Sequence, residues 1–463
     1  MEFIAIDIGT SFTKGAIVDS ESLTICNVRR MPAPPRMSGG HVFFQEYSPL
    51  EIVESVVDVI AELLPLISQC RGILLTGQMG GLILCSENGT ALSPYISWLD
   101  RRAALPHPFQ SGTFMDGLTE AVGDRARTVL GNEFRPGLPI SFLYYLKEMR
   151  QLAQYDGAMP VTLTDYVAAA MCKSRPVIER TNAAGVLDVC SGKLAFELFD
   201  ELSLGKLDWP EVVDFRHCVG EYKTEGQSLP VFAATGDHQC SLAGTLITQG
   251  ELSVNISTGS QLSILTDAVS FGDFQLRPYF DGMFLKTITN IPAGRALSAM
   301  MKLLTEISGT EPSDMKRAWD YFFEQAETTA GTDVAVNLAF FPGAISGPGS
   351  LSNLREDNLT VGHIARACLE QMADYYNLLA GQLAPARDWS SLVFSGGIAQ
   401  QSRLLKQLIS SRLEAVARAV NSSEDSLFGM MVLGRVIAGL NSNVAEATAY
   451  VAANTDGSNQ TQN

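Results

Sequence analysis

No apolar stretch in this 463-residue chain runs far enough without charge, proline or glycine to cross a bilayer, which argues against a helical membrane protein. Cys-x-x-Cys pairs are also missing. The 8 cysteines (Cys26, Cys70, Cys85, Cys172, Cys190, Cys218, Cys240 and Cys368) are scattered, several inside apolar runs, and read as reduced thiols in a cytoplasmic protein rather than metal ligands or disulfides. Basic residues are scarce, 33 against 50 acidic ones, for a net charge of −17. That balance argues against a nucleic-acid or anionic-membrane surface, so any phosphate site has to be local. The 5 histidines lie far apart, and only His238 neighbours a candidate site. No Walker loop G-x-x-x-x-G-K-[ST], no G-x-G-x-x-G after a strand, no H-E-x-x-H and no G-x-S-x-G elbow is present, which sets aside several nucleotide, zinc and hydrolase chemistries.

What is present is a repeated pattern. Residues Phe3 to Val18 form an apolar run carrying one acid, Asp7, then a Gly9-Thr10-Ser11 turn, then a second apolar run. Leu252 to Leu265 repeat the order of parts around Ser257-Thr258-Gly259-Ser260. Each reads as a strand, a loop and a strand. Glycine removes Cβ so that backbone N–H groups can approach an anion, and the hydroxyls add donors. Two such loops together can clasp one phosphate chain. Asp7 closes a buried strand, and a carboxylate there has to be paired, hydrated or bound to a cation, for which Mg²⁺ beside the loop is the natural candidate.

The length favours two or three domains. After the first hairpin the pattern predicts a strand over Leu23–Val28, a loop over Met31–Gly40, and a helix started by Ser48 or Pro49 that carries Leu50, Ile52, Val53, Val56, Val57, Ile60, Leu63 and Leu64 at helical spacing. A buried parallel strand over Gly72–Thr76 and another strand over Gly81–Cys85 follow. The second half repeats the order loosely, with helical runs near Gly294–Glu306 and Val361–Leu379, a strand at Ser391–Phe394 and a turn at Ser395-Gly396-Gly397. A domain boundary is therefore expected near Gly244–Gly250, giving units 1–245 and 246–451 with a cleft between them. A polar tail, 452–463, is expected to be disordered. Met1 leads straight into a strand pattern, which predicts no secretory leader.

Four further segments carry chemistry. Thr235-Gly236-Asp237-His238-Gln239 follows a strand-like run, so Asp237 falls at a strand end or helix start. A carboxylate there suits a general base that accepts a hydroxyl proton during phosphoryl transfer; it also suits a helix N-cap. Ser395 to Gln401 links a strand to a helix, and its glycines suit either a flat ring such as adenine or an ordinary tight turn. Gln78-Met79 and Trp98 to Arg102 offer polar groups for a polyol, or anchors for loops.

Taken in this order, these segments resemble the FGGY family of carbohydrate kinases over nearly the whole chain. Further support comes from Thr76 to Gly81, Thr164-Asp165-Tyr166-Val167, Thr181-Asn182-Ala183-Ala184 and the small-residue segment Phe428 to Gly434. The resemblance implies an α/β fold of two ribonuclease-H-like domains, related to actin and hexokinase, with mixed sheets flanked by helices and a cleft between them. It implies ATP and Mg²⁺ as cofactors, a sugar as partner, no nucleic acid or membrane, and a homodimer as one possible assembly. By residue, it implies Asp237 as catalytic base, Asp7 for the metal, and Thr10, Ser11 and Lys14 in the first phosphate loop. Thr258 and Gly259 would line the second loop, Gly396, Gly397 and Gln400 would border adenosine, and Gln78, Met79, Asp100 and Asp237 would meet the sugar. Within the family, Asn255 to Leu262, Asp165 to Cys172 and Gly362 to Ala367 look most like sedoheptulokinases, with xylulokinases next; both act on ketoses. Both commonly carry Gly-Gln-Met-His-Gly where this chain has Gly77-Gln78-Met79-Gly80-Gly81, so an imidazole is absent at Gly80.

Overall fold

The computed structural model describes residues 1–204, 206–224, 226–306, 314–419 and 424–455. Two mixed sheets form its frame. In the first, the spatial order is Thr24–Pro32, Phe12–Asp19, Glu2–Ile8, Cys70–Gly77, Gln227–Phe232 and Cys218–Thr224, with Thr235–Gly236 also paired to Cys70–Gly77. The opening three strands form an antiparallel meander, and Cys70–Gly77 and Gln227–Phe232 join in parallel. The second sheet runs Gln275–Pro278, Phe284–Ile288, Gln261–Thr266, Glu251–Asn255, Ser391–Ser395 and Val416–Arg418. Its central strand likewise pairs antiparallel with the strand after it and parallel with Ser391–Ser395. The repeat seen in the sequence is thus a repeat of topology.

Parallel strands buried on both faces explain the unbroken apolar runs. Along Glu2–Ile8, Ile4, Ile6 and Ile8 pack with Val56, Val59 and Ile60 of the helix Pro49–Leu63 and with Leu163 and Val167. Phe3 and Ala5 face the other way, into a core shared with Leu427, Met431 and Val432. The strand period of two puts Asp7 on that second face. The helix Pro49–Leu63 begins as its sequence predicts, with Ser48 Oγ accepting from Glu51 N–H at 3.3 Å and Pro49 in the first turn.

The expected Gly81–Cys85 strand is shorter, Ile83–Cys85, and pairs with Met159–Val161 outside both sheets. It belongs to an elaboration between the first sheet's parallel strands, with a separate core around Phe114, Leu118, Phe142, Leu143 and Phe199. Two expectations need correction. Residues 452–454, read as the start of a polar tail, close the helix Val444–Asn454, because Val451 and Ala447 are buried; 456–463 lie outside the described residues. The second unit also does not keep to itself. The helices Asp425–Ile437 and Val444–Asn454 leave the second sheet and cover the first, burying Phe3, Ala5, Ala16 and Val18. Apolar pairing between segments more than 400 residues apart leaves no local trace in the sequence.

Candidate active site

The carboxyl ends of three strands converge where Asp7 lies beside Thr76, and Thr76 beside Thr235, across the ladder. Ligands of open α/β sheets bind beyond such ends. One residue on, Gly77 pairs with Gly236, and Asp237 opens the helix Asp237–Gly244 with Gly236 as its cap. A Cβ on Gly77 would stand 2.6 Å from Ile8 O, so glycine is what lets these strand ends approach. Asp237 therefore stands at a helix start, as its position after the strand predicts.

Asp7 lies close enough to Asp237 for its charge to raise the proton affinity of that carboxyl group. Burial pushes Asp237 up to about 7, with the Asp7 charge adding to the shift and Arg277 opposing it. Burial also raises Asp7, while Lys14 opposes. A carboxyl group that titrates near neutrality in a cleft has the character of a general base.

A polar scaffold holds the strand end. Gly236 N–H donates to Thr181 Oγ1 at 2.8 Å, and Thr181 N–H donates to Glu179 at 2.7 Å. Asn182 Nδ2 donates to Ala234 O at 2.6 Å and to Thr164 Oγ1 at 3.0 Å. Thr162 and the Glu179 N–H bond the two oxygens of Asp165, completing the chain. The Thr164-Asp165 and Thr181-Asn182 segments thus hold the strand end that leads into Asp237.

The first loop presents Thr10 and Ser11 exposed, with Gly9 N–H bonded to Phe12 O at 3.0 Å. Trp98 Nε1 donates to Thr10 Oγ1 at 3.3 Å, and Thr10 reaches Gln78 Oε1 at 3.5 Å. Met79 lies against Gly236, the residue before Asp237. Thr10, Gln78, Met79, Asp7 and Asp237 therefore share one neighbourhood. Lys14 stands opposite Asp7, but its ammonium pairs with Glu424 at 3.2 Å, and Arg30 engages the same carboxylate. Asp100, expected against the sugar, is fully buried instead. Its oxygens accept from Arg102 Nε at 2.9 Å, Arg102 Nη2 at 2.8 Å and Gln45 N–H at 2.7 Å, because the Arg102 guanidinium is itself buried and needs a fixed anion.

In the second half, Thr258 and Gly259 are exposed at the hairpin tip, and no atom stands within 4 Å of a Cβ built on Gly259. Ser260 Oγ accepts from Ser257 N–H at 3.0 Å and donates to Ser257 O at 2.7 Å, fixing the loop. Gly396, at φ +89°, lies so close to Ile256 that a Cβ would stand 2.6 Å from its carbonyl oxygen. Gly397 and Gln400 are exposed beside it. Gly294, which starts the helix Gly294–Glu306, closes on the same spot through its bond to Ser257 O at 3.2 Å. The sequence places Gly294 at the start of a helical run but gives no sign that it closes on the second hairpin loop.

The residues suit a bound divalent cation. Two carboxyl groups at neighbouring strand ends, buried Asp7 and partly buried Asp237, have raised proton affinity, and a cation would relieve both. Among the described residues no group of three or more His, Cys, Asp and Glu side chains could hold an ion by itself. That fits a metal held by one or two carboxylates together with substrate phosphates and water, the usual manner of Mg²⁺.

Residues 3–244 match the model of the FGGY family of carbohydrate kinases, N-terminal domain. The chain belongs to that family. A xylulose kinase of Bacillus subtilis (strain 168) is 23% identical over 270 residues, 55% of this chain and 52% of that protein, so the match spans about half of the relative's length. Among solved structures, the ligand-bound xylulose kinase of Lactobacillus acidophilus superposes with a TM-score of 0.83 at 19% identity, covering 97% of this chain and 92% of the other. A gluconate kinase of Lactobacillus acidophilus gives the same figures. These likenesses bear on the fold, and the two α/β domains of this FGGY chain match it across nearly their full extent.

Proposed function

We propose that this protein is an ATP-dependent sugar kinase that transfers the γ-phosphoryl group of ATP to a terminal hydroxyl of a ketose. Sedoheptulose is the leading substrate, on the resemblance of three segments, and xylulose is next, favoured by the relatives named above. The observation that carries the reading is Asp237, a carboxyl group titrating near 7, at the start of a helix beside Asp7. In the reaction, Asp237 takes the hydroxyl proton while the sugar oxygen forms its bond to the γ-phosphorus. The bond from that phosphorus to the β,γ-bridging oxygen breaks, and ADP leaves with the electron pair.

Thr10 and Ser11 on one side and Thr258 and Gly259 on the other donate to the phosphates, a role that their exposure at hairpin tips supports. Gly396, Gly397 and Gln400 border adenosine, Gln78 and Met79 the sugar. Mg²⁺ held at Asp7 would neutralise phosphate charge. Lys14, tied to Glu424, keeps that glutamate and Asp7 in place. A coupled ADP-release assay with sedoheptulose, xylulose, ribulose, fructose, glycerol and gluconate, and with Asp237→Asn as control, tests the reading. A ketose preference lost by several orders of magnitude in the variant is expected; sugar-independent ADP release would overturn it.

A further inference from the structure

The Asp237 carboxyl group stands between two anchors. Before it, Gly236 is held by Thr181 of the first half. After it, His238 N–H donates to Asp237 Oδ1 at 2.8 Å, and the His238 side chain reaches into the second half. Its Nδ1 lies 2.9 Å from Arg277 Nη1, on the strand Gln275–Pro278, and its Nε2 lies 3.2 Å from Ser263 Oγ, on the strand Gln261–Thr266. All three side chains are buried, and each finds its partners within the protein.

The direction of every bond in this chain is determined. A guanidinium only donates, so His238 Nδ1 accepts. Burial and the Arg277 charge hold the imidazole well below its ordinary pKa, so the ring is neutral and its one proton sits on Nε2. That proton goes to Ser263 Oγ. At the far end Thr287 Oγ1 donates to Leu262 O at 2.9 Å, which leaves it to accept from Ser263 Oγ at 2.9 Å. Glu133, buried in the first half, fixes the near end by accepting from Arg277 Nε, with Arg135 Nε 3.7 Å from its other oxygen.

Leu262 and Ser263 belong to the strand that leaves the second hairpin tip, Thr258-Gly259, and Ser263 pairs with Thr287 across the ladder. The next residue of the helix adds a tie of its own, Gln239 Nε2 donating to Pro278 O at 3.0 Å. Two consecutive side chains thus fasten the first turn after Asp237 to the second sheet. Apolar packing alone tolerates sliding, whereas a buried network satisfied at both ring nitrogens specifies one position.

We propose that His238 is a positioning residue: its imidazole, held between the Arg277 guanidinium and the Ser263 hydroxyl, fastens the start of the Asp237 helix to the second sheet and so fixes the carboxylate relative to the second phosphate loop. The assignment rests on the kinase reading above and adds to it the group that aligns the base.

The test is steady-state kinetics on the full chain with its best ketose. In His238→Phe a ring remains but neither bond forms, and kcat is expected to fall on the order of 100-fold, as it does for a misplacement of about 1 Å, with the sugar and ATP KM values within about threefold of the unaltered protein. His238→Gln, whose amide supplies one acceptor and one donor, should bring kcat back to within about tenfold. Ser263→Ala removes the Nε2 partner from the other half and should lower kcat about tenfold; combined with His238→Phe it should add nothing, because the tie is already cut. An unchanged kcat in His238→Phe, or losses that simply add in the double variant, would overturn the proposal. Should His238→Phe fail to fold, solid-state 15N NMR of the unaltered chain labelled at histidine decides, with His238 assigned by its loss in His238→Gln. A neutral ring protonated at Nε2 is expected near neutral pH; an imidazolium or a ring protonated at Nδ1 alone would overturn the relay. No sugar-dependent ADP release from the unaltered chain, with that ring signature intact, would instead remove the kinase reading, and the role of His238 with it.

Discussion

At Asp237 two effects compete and burial wins. The carboxyl group rises to about 7 because desolvation and the Asp7 charge outweigh Arg277. The folded state therefore holds a proton that the unfolded chain releases near pH 4. Stability from this group is fully present below that value and is lost as pH rises through about 7. Asp237→Asn should then raise the melting temperature by roughly 2–4 °C at pH 8 and by little at pH 5, while abolishing turnover. Calorimetry at the two pH values checks this, and equal shifts would place the proton elsewhere. For the unaltered protein, kcat/KM should climb through a limb near pH 7, since only the ionised base accepts a proton. Gly80 is a different case. Its φ is +75° and a Cβ there would stand 2.9 Å from Gly137 O, so the segment that carries Arg135 leans into the space an imidazole would need. Gly80→His is expected to lower the melting temperature without improving kcat/KM for any ketose. A gain in activity would show that the site still accommodates the family's imidazole.

At the scale of elements, the helices Asp237–Gly244 and Asp425–Ile437 pack through paired glycines. A Cβ on Gly244 would collide with Asp425 O, and one on Gly429 with Cys240 O, so the two backbones touch where each helix has no side chain. Gly429→Val should cost about 3 kcal/mol and push the base helix away, lowering kcat more than it raises either KM. Urea unfolding beside kinetics separates the two effects; an unchanged midpoint would refute the close approach. The small-residue run Phe428 to Gly434 was legible in the sequence, as were both hairpins, Ser48 as a cap and Asp237 at a helix start, because each is written in local spacing and turn chemistry. Asp100 was read as a ligand contact because nothing local shows that Arg102 would turn back onto it. Glu133 and Arg277 escaped notice for a related reason: 144 residues separate them, and neither sits in a recognisable motif.

Across the whole molecule, the division of the chain near Gly244–Gly250 is a division of sheets but not of cores. Phe3, Ala5, Ala16 and Val18 face Leu427, Met430, Met431 and Val432, which enter from the far end of the sequence. Burying a large apolar side chain is worth ~1.5–3 kcal/mol, so uncovering several at once is comparable to the roughly 5–15 kcal/mol that holds a domain folded. Arg435 adds a bond to Ser20 O and places its guanidinium 3.9 Å from the Tyr450 ring centroid, tying the last helices to the first hairpin. A fragment of residues 1–244 should accordingly fail to unfold cooperatively and should aggregate, although it spans the whole region that matches the family's N-terminal domain. Joining residues 424–455 to it through a flexible linker should restore a single thermal transition, because the apolar face regains its cover. A cooperative transition in residues 1–244 alone would mean that the first sheet closes without the returning helices. The base helix would then owe its position to the Thr181 and Asn182 scaffold alone.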